Sequence, residues 1–101
     1  MECHVYFRHD CTLDHASHCL MDLYEACFNV EDQDAYLADV YDVCCTVNPE
    51  EVMNFSKVLE HYSADIFQVE LYLGDVCVRY EDIGAPLFDT LESAAAAELA
   101  E

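Results

Sequence analysis

Basic residues are almost absent from this sequence. Three Lys and Arg stand against 22 Asp and Glu in 101 residues, which gives a formal net charge of −19 at pH 7. Nucleic acid and anionic membrane surfaces both repel a protein of this sign, so direct binding to either is excluded. The charge instead predicts a basic partner.

Glycine and proline are also scarce, with two of each, and tryptophan is missing. Apolar residues make up 54% of the chain, a density that buries enough surface to fold and argues against an acidic disordered coil. No apolar run approaches the roughly 20 residues that span a bilayer, and Glu2 and His4 stand where a signal peptide carries Lys or Arg. We therefore expect one soluble, cytoplasmic domain over residues 1–101.

The seven cysteines are an odd number, so they cannot all form disulfides within one chain. In a protein without an export signal, reduced thiols that pack as small apolar side chains are the default. We expect most of them to fill the core or its edge. They are Cys3, Cys11, Cys19, Cys27, Cys44, Cys45 and Cys77.

Hydrophobic periodicity predicts an α+β domain with the order β-α-α-α-β-β-α, in which helices cover one face of a small antiparallel sheet. The predicted elements are a strand over 3–8, helices over about 13–28, 32–46 and 49–63, a hairpin over 66–81 and a last helix from 86. Asn48 and Pro49 supply a cap and a first-turn proline for the third helix. In the hairpin, a loop at Gly74-Asp75 places Glu70 opposite Arg79.

Cysteine and histidine are concentrated near the N-terminus, which raises the question of a zinc site. Histidine and cysteine at 15 and 19 stand one helical turn apart, and the candidate ligands are Cys3, Cys11, His15 and Cys19. No Cys-x-x-Cys pair accompanies them, and histidines on a solvated acidic helix account for the pattern without a metal. We expect neither metal nor cofactor. Nothing selects a nucleophile or an acid–base pair, so we also expect no enzymatic activity.

Acidic residues line one side of the predicted second helix. At 100° per residue they fall within an arc of roughly 160°, opposite the apolar stripe. This stripe is the first candidate for partner binding, followed by acids of the first helix and two acids beyond the hairpin. The stripe comprises Glu31, Asp32, Asp34, Asp39 and Asp42, and the further candidates are Asp14, Asp22, Glu25, Glu81 and Asp82.

In size, charge and lack of a catalytic motif, the chain resembles the small acidic phage and plasmid proteins that inhibit CRISPR effectors or restriction enzymes by occupying their nucleic-acid-binding surfaces. Its 22 carboxylates equal the phosphate charge of about 11 base pairs of duplex DNA. The resemblance implies an anti-CRISPR or anti-restriction DNA mimic that binds a basic nucleic-acid-binding protein or ribonucleoprotein complex in the host cytoplasm. It rests on no sequence motif and assigns no residue roles.

Three other interpretations share the acidic composition. An inhibitor of a basic nuclease toxin, similar in logic to barstar, uses the same electrostatics against a different target. A haloarchaeal domain is acidic and lysine-poor, but seven cysteines, seven tyrosines and five phenylalanines are atypical of that class. An acidic domain with another protein partner is the third. The sequence does not separate a nucleic-acid mimic from a toxin inhibitor.

Overall fold

The computed structural model describes residues 1–8, 13–33 and 42–100, and only the backbone is described over 13–17 and 32–33. Five strands and three α-helices occur in these ranges, so the predicted α+β class is confirmed. They are β1 (Glu2–Phe7), α1 (Leu13–Ala26), β2 (Cys27–Gln33), β3 (Asp42–Val47), α2 (Val52–His61), β4 (Ile66–Leu73), β5 (Val76–Tyr80) and α3 (Ala85–Leu99). Among the described residues, no helix has the length and apolar character needed to cross a membrane.

The five strands form one antiparallel sheet in the order β2-β3-β1-β4-β5. Strand β1 lies at its centre, with Val5 opposite Val43 of β3 and Val69 of β4. All three of these valines are fully buried. Because side chains alternate along a strand, every second residue of the central strands faces the core.

The helices cover this apolar face of the sheet. Leu23 of α1, Phe55 and Leu59 of α2, and Leu87 and Leu91 of α3 are fully buried in the same cluster as the inward residues of β1, β3 and β4. Helical spacing predicts that the third helix buries Val52, Phe55, Leu59 and Tyr62, and all four are buried. For the last helix it predicts Leu87, Phe88, Leu91 and Ala95, which are buried except for Phe88, whose side chain is partly buried. For the first helix, the same spacing predicts that Tyr24 is buried together with Leu20 and Leu23, and this is wrong, because Tyr24 is 60% exposed.

The start of α2 follows the predicted cap. The Asn48 side chain accepts a hydrogen bond from the Glu50 backbone N–H at 3.0 Å, and Pro49 opens a 3-10 turn over Pro49–Glu51 that leads into the helix. A second 3-10 turn, Ser63–Asp65, connects α2 to β4. Capping chemistry therefore identified the beginning of this helix correctly.

The hairpin has the predicted register. Leu73 pairs with Val76, Leu71 with Val78 and Glu70 with Arg79 across β4 and β5. Its loop turns at Gly74, whose φ of 63° lies in the left-handed region that favours glycine.

The predicted helix over 32–46 is wrong at both ends. Residues 32 and 33 belong to β2, residues 42–46 belong to β3, and the intervening 34–41 lie outside the described residues. In β3 the buried Val43, Cys45 and Val47 alternate with half-buried neighbours, which is the period of a strand, and β1 supplies the pairing partner. The first helix ends at Ala26, so the order of the described elements is β-α-β-β-α-β-β-α.

Candidate functional site

The sheet surface opposite the three helices carries polar and aromatic side chains, and we call it the open face. The strand registers place its members on one side of the sheet, because directly paired residues point the same way. They are Asn29 and Glu31 of β2, Asp42, Cys44 and Thr46 of β3, Glu2, His4 and Tyr6 of β1, Gln68, Glu70 and Tyr72 of β4, and Cys77 and Arg79 of β5. Among these described residues, four are carboxylates and one is a cation.

A buried carboxylate lies at the centre of the open face. Glu70 is only 8% exposed, and it accepts hydrogen bonds from the Tyr6 hydroxyl and from Cys77 Sγ at 3.4 Å. The Nη2 atom of Arg79 lies 3.9 Å from its Oε2. Burial acts to raise the pKa of Glu70, but the two hydrogen bonds and the charge of Arg79 outweigh it and lower the pKa. Glu70 is therefore a buried anion at neutral pH.

Aromatic rings flank this carboxylate. The centroid of the His4 ring lies 4.9 Å from that of Tyr72 and 6.4 Å from that of Tyr6. Burial raises the pKa of Tyr6, and the hydrogen bond to Glu70 adds to the rise. Burial and the charge of Glu70 raise the pKa of Tyr72 in the same direction. Both hydroxyls therefore stay protonated through the physiological range.

Three potential metal ligands meet between β1 and β3. Cys44 is directly opposite His4, and Glu2 stands two residues earlier on the same side of β1. One ligand atom from each of these three side chains lies within 4.8 Å of the other two. Burial raises the pKa of the Cys44 thiol, and the nearby carboxylates of Glu2, Glu31 and Asp42 raise it further. The potential around Cys44 is therefore negative and attracts cations.

This group could not be recognised by spacing, because its members come from strands 40 residues apart in the chain. The zinc ligands considered from the sequence are not brought together in the described structure. Cys3 and Cys19 are fully buried in the core, His15 is described only as backbone of α1, and Cys11 lies outside the described residues. Cys3 and His4, adjacent in sequence, point to opposite sides of the sheet.

The acidic stripe predicted on a second helix is replaced by positions on two strands. Glu31 in β2 is exposed and Asp42 in β3 is half-buried, and both belong to the open face. Asp32 lies in β2 opposite Val43, and nothing beyond its backbone is described. Asp34 and Asp39 lie outside the described residues. The structure thus keeps Glu31 and Asp42 on one surface, on adjacent strands and offset by two residues, although their arrangement is not helical.

The other predicted acids are scattered. Asp22 on α1 accepts a hydrogen bond from the Tyr62 hydroxyl at 2.8 Å, which gives it a structural role. Glu25 is exposed on α1, and Glu81 and Asp82 are exposed after β5. Asp14 is described only as backbone of α1. These residues do not converge with the open face on one site.

Sequence reasoning missed an exposed apolar group where α1 meets β2. Met21, Tyr24 and Phe28 are 68%, 60% and 72% exposed. Phe28 lies at an irregularity of β2, where the register with β3 shifts between Cys27 and Asn29. A bulge of this kind redirects a side chain away from the core, and no sequence signal marks it.

No family model matches the chain, and comparisons with curated proteins and with solved structures gave no match. A function is therefore proposed from the residues of the open face.

Proposed function

We propose that the protein is an acidic nucleic-acid mimic that inhibits a host defence complex by occupying its nucleic-acid-binding surface, with a CRISPR effector as the first target to test. The observation that carries the proposal is the charge: −19 over the chain, and four carboxylates to one arginine among the described residues of the open face. The partner is a basic protein or ribonucleoprotein, and inhibition by occupancy requires no catalytic group.

The spacing of the carboxylates supports this mode of binding. Glu31, Asp42, Glu2 and Glu70 lie on four neighbouring strands, β2, β3, β1 and β4. Glu31 and Glu70 lie on one line across the sheet, through Cys44 and His4, whereas Asp42 and Glu2 lie two residues to either side of that line. Adjacent strands are about 4.8 Å apart, so about 14 Å separates the two ends of the line. The major groove that separates phosphate rows in B-DNA is about 12 Å wide. The basic surface of a protein that binds the two phosphate rows of DNA would therefore meet carboxylates of the open face at a comparable separation.

The aromatic residues of the open face separate this proposal from direct nucleic-acid binding. Sheets that bind single-stranded RNA stack bases on exposed aromatic side chains, with basic residues along the backbone path. Here His4, Tyr6 and Tyr72 occupy the centre of the sheet, but Glu2, Glu31 and Asp42 surround them. Phosphates are repelled by these carboxylates, whereas lysine and arginine are attracted.

A charge-neutralised variant tests the proposed surface. Glu31→Gln together with Asp42→Asn removes two charges from the open face while keeping the size of both side chains. We expect each charge to be worth roughly 0.5–1 kcal/mol, so inhibition of DNA cleavage by a purified CRISPR effector with its guide RNA should weaken about 5- to 30-fold. The measurement is the inhibitor concentration that halves cleavage, at two ionic strengths, since higher salt should weaken inhibition further.

The matched control is Glu60→Gln with Asp89→Asn, which removes two exposed charges from the helical side of the molecule. It should inhibit as well as the unchanged protein. Equal losses in both variants would mean that net charge alone matters and that the open face is not the interface. Restriction enzymes and a basic ribonuclease serve as parallel targets: inhibition of the ribonuclease alone would reject the mimic in favour of a toxin inhibitor.

A further inference from the structure

The cluster of Glu2, His4 and Cys44 has the composition of a transition-metal site. It offers one carboxylate oxygen, one imidazole nitrogen and one sulfur, all within 4.8 Å of one another. Tetrahedral zinc, with bonds of about 2.0 Å to nitrogen or oxygen and about 2.3 Å to sulfur, holds its ligand atoms about 3.3–3.8 Å apart. The ligand atoms here lie at most 4.8 Å apart, so metal binding requires the widest pair to approach by about 1 Å.

The backbone beneath these residues is well placed to hold a metal. β1 and β3 are interior strands of the sheet, and five consecutive residue pairs connect them, from Glu2 opposite Thr46 to Tyr6 opposite Asp42. The His4 ring packs against Tyr72 at 4.9 Å between centroids, which limits its rotation. His4 and Cys44 therefore project from paired interior strands, and the exposed Glu2 can adjust to complete the site.

The negative charges around the cluster favour binding of a cation by these three side chains. Glu31 lies directly opposite Cys44 on β2 and is held by a hydrogen bond from Asn29 Nδ2 at 2.9 Å. Glu70 lies directly opposite His4 on β4. Two further carboxylates thus flank the three ligand atoms.

We infer that Glu2, His4 and Cys44 bind a divalent transition metal of the zinc class, with a fourth coordination position open to solvent. A thiolate and an imidazole select zinc or cobalt over magnesium and calcium, which prefer oxygen ligands. On binding, Cys44 Sγ forms the metal–sulfur bond and releases its proton to solvent. Three protein ligands with one free position are typical of sites that accept water or an external ligand. This site stands independently of the proposed inhibition.

Cobalt is the probe for this site, because a cobalt–thiolate bond gives a charge-transfer absorption that other ligands do not. Untagged protein, stripped with chelator and kept reduced with a phosphine, is titrated with Co²⁺ and then with Zn²⁺. We expect one equivalent of Co²⁺ to produce the thiolate band and Zn²⁺ to displace it. Cys44→Ser should abolish the band, and His4→Gln should weaken binding at least about tenfold.

Two matched controls retain the band if the assignment is right. Cys77→Ser changes an exposed cysteine on the same face, and His61→Gln changes an exposed histidine on α2. Glu2→Gln changes an exposed ligand, so it should still weaken Co²⁺ binding if Cys44→Ser unfolds the protein. The inference is overturned if no thiolate band appears, if Glu2→Gln binds Co²⁺ as tightly as the unchanged protein, or if Cys11→Ser rather than Cys44→Ser removes the band.

Discussion

One hydrogen bond between α1 and the end of α2 shows how a single carboxylate raises the pKa of a buried tyrosine. The Tyr62 hydroxyl donates to Asp22 Oδ2 at 2.8 Å, and Tyr62 is only 9% exposed. This hydrogen bond, with burial and the negative charge of Asp22 added, raises the pKa of Tyr62 from 10.0 to about 12. Because the folded pKa is raised, the stabilisation is complete below pH 10 and is lost as pH rises through about 12.

Tyr62→Phe should therefore lower the free energy of unfolding by about 1–2 kcal/mol near neutral pH, since a hydrogen bond to a charged group is lost. It should also flatten the decline of stability between pH 10 and pH 12. Urea denaturation followed by circular dichroism at several pH values measures both effects. Tyr24→Phe is the comparison: its hydroxyl donates only a long hydrogen bond, 3.4 Å to the Val30 carbonyl, from a side chain that is 60% exposed, so it should cost less. Unchanged stability of Tyr62→Phe at neutral pH would contradict the structural role assigned to Asp22.

At the scale of elements, the hairpin depends on the backbone conformation of one glycine. Gly74 has a φ of 63°, and it is the only described residue with positive φ. Gly74→Ala should destabilise the protein by about 1–2 kcal/mol, because alanine is strained in the left-handed region. Gly84→Ala is the control: φ there is −158°, and an added Cβ meets nothing within 4 Å. Equal effects of the two substitutions in urea denaturation would show that the turn does not constrain the fold.

Local signals determined which elements could be predicted from the sequence. The Asn48-Pro49 cap and the Gly74 loop specify structure within a few residues, and both predictions agree with the structure. β3 was missed because Cys44 fits the apolar stripe of a helix and Asp42 fits its acidic side, and the alternation of β3 gains meaning only through pairing with β1. Tertiary pairing overrode the helical period.

Tertiary strand pairing also limited how much of the candidate site could be predicted from the sequence. Periodicity predicts Glu31 and Asp42 on one side of a helix, whereas in the structure they share a surface because β2 pairs with β3. The grouping of Glu2, His4 and Cys44 requires the register of β1 against β3, which a single sequence does not specify. The types of residue in the site could therefore be predicted from the sequence, whereas their grouping on one surface depends on long-range strand pairing.

For the whole molecule, a charge of −19 means that both stability and partner binding should depend on salt concentration. At about 0.15 M salt the Debye length is about 8 Å, so carboxylates at typical separations on this surface are already partly screened. A mimic that works in an ordinary cytoplasm should fold cooperatively without extra salt. Added salt should raise its melting temperature modestly and weaken its complex with a basic partner, two effects of opposite sign.

Circular dichroism melts at about 0.05, 0.15 and 2 M salt test this expectation across the range in which the Debye length changes most. A cooperative transition that appears only at the highest concentration would favour a haloarchaeal domain and reject the mimic. A small protein with a net charge near zero, melted alongside, reports the general effect of the salt.

Strand β5 forms one edge of the sheet, and the net charge of the molecule affects whether that edge can pair with another copy. In the described part of the chain β5 pairs only with β4, and both Val76 and Cys77, which point to opposite sides of the sheet, are exposed. An unpaired apolar edge is a template for adding a strand from another copy. Mutual repulsion between copies of charge −19 opposes that contact over the range of the Debye length. Concentrated salt removes this protection, so storage at high ionic strength is the condition under which filaments or precipitates should first form.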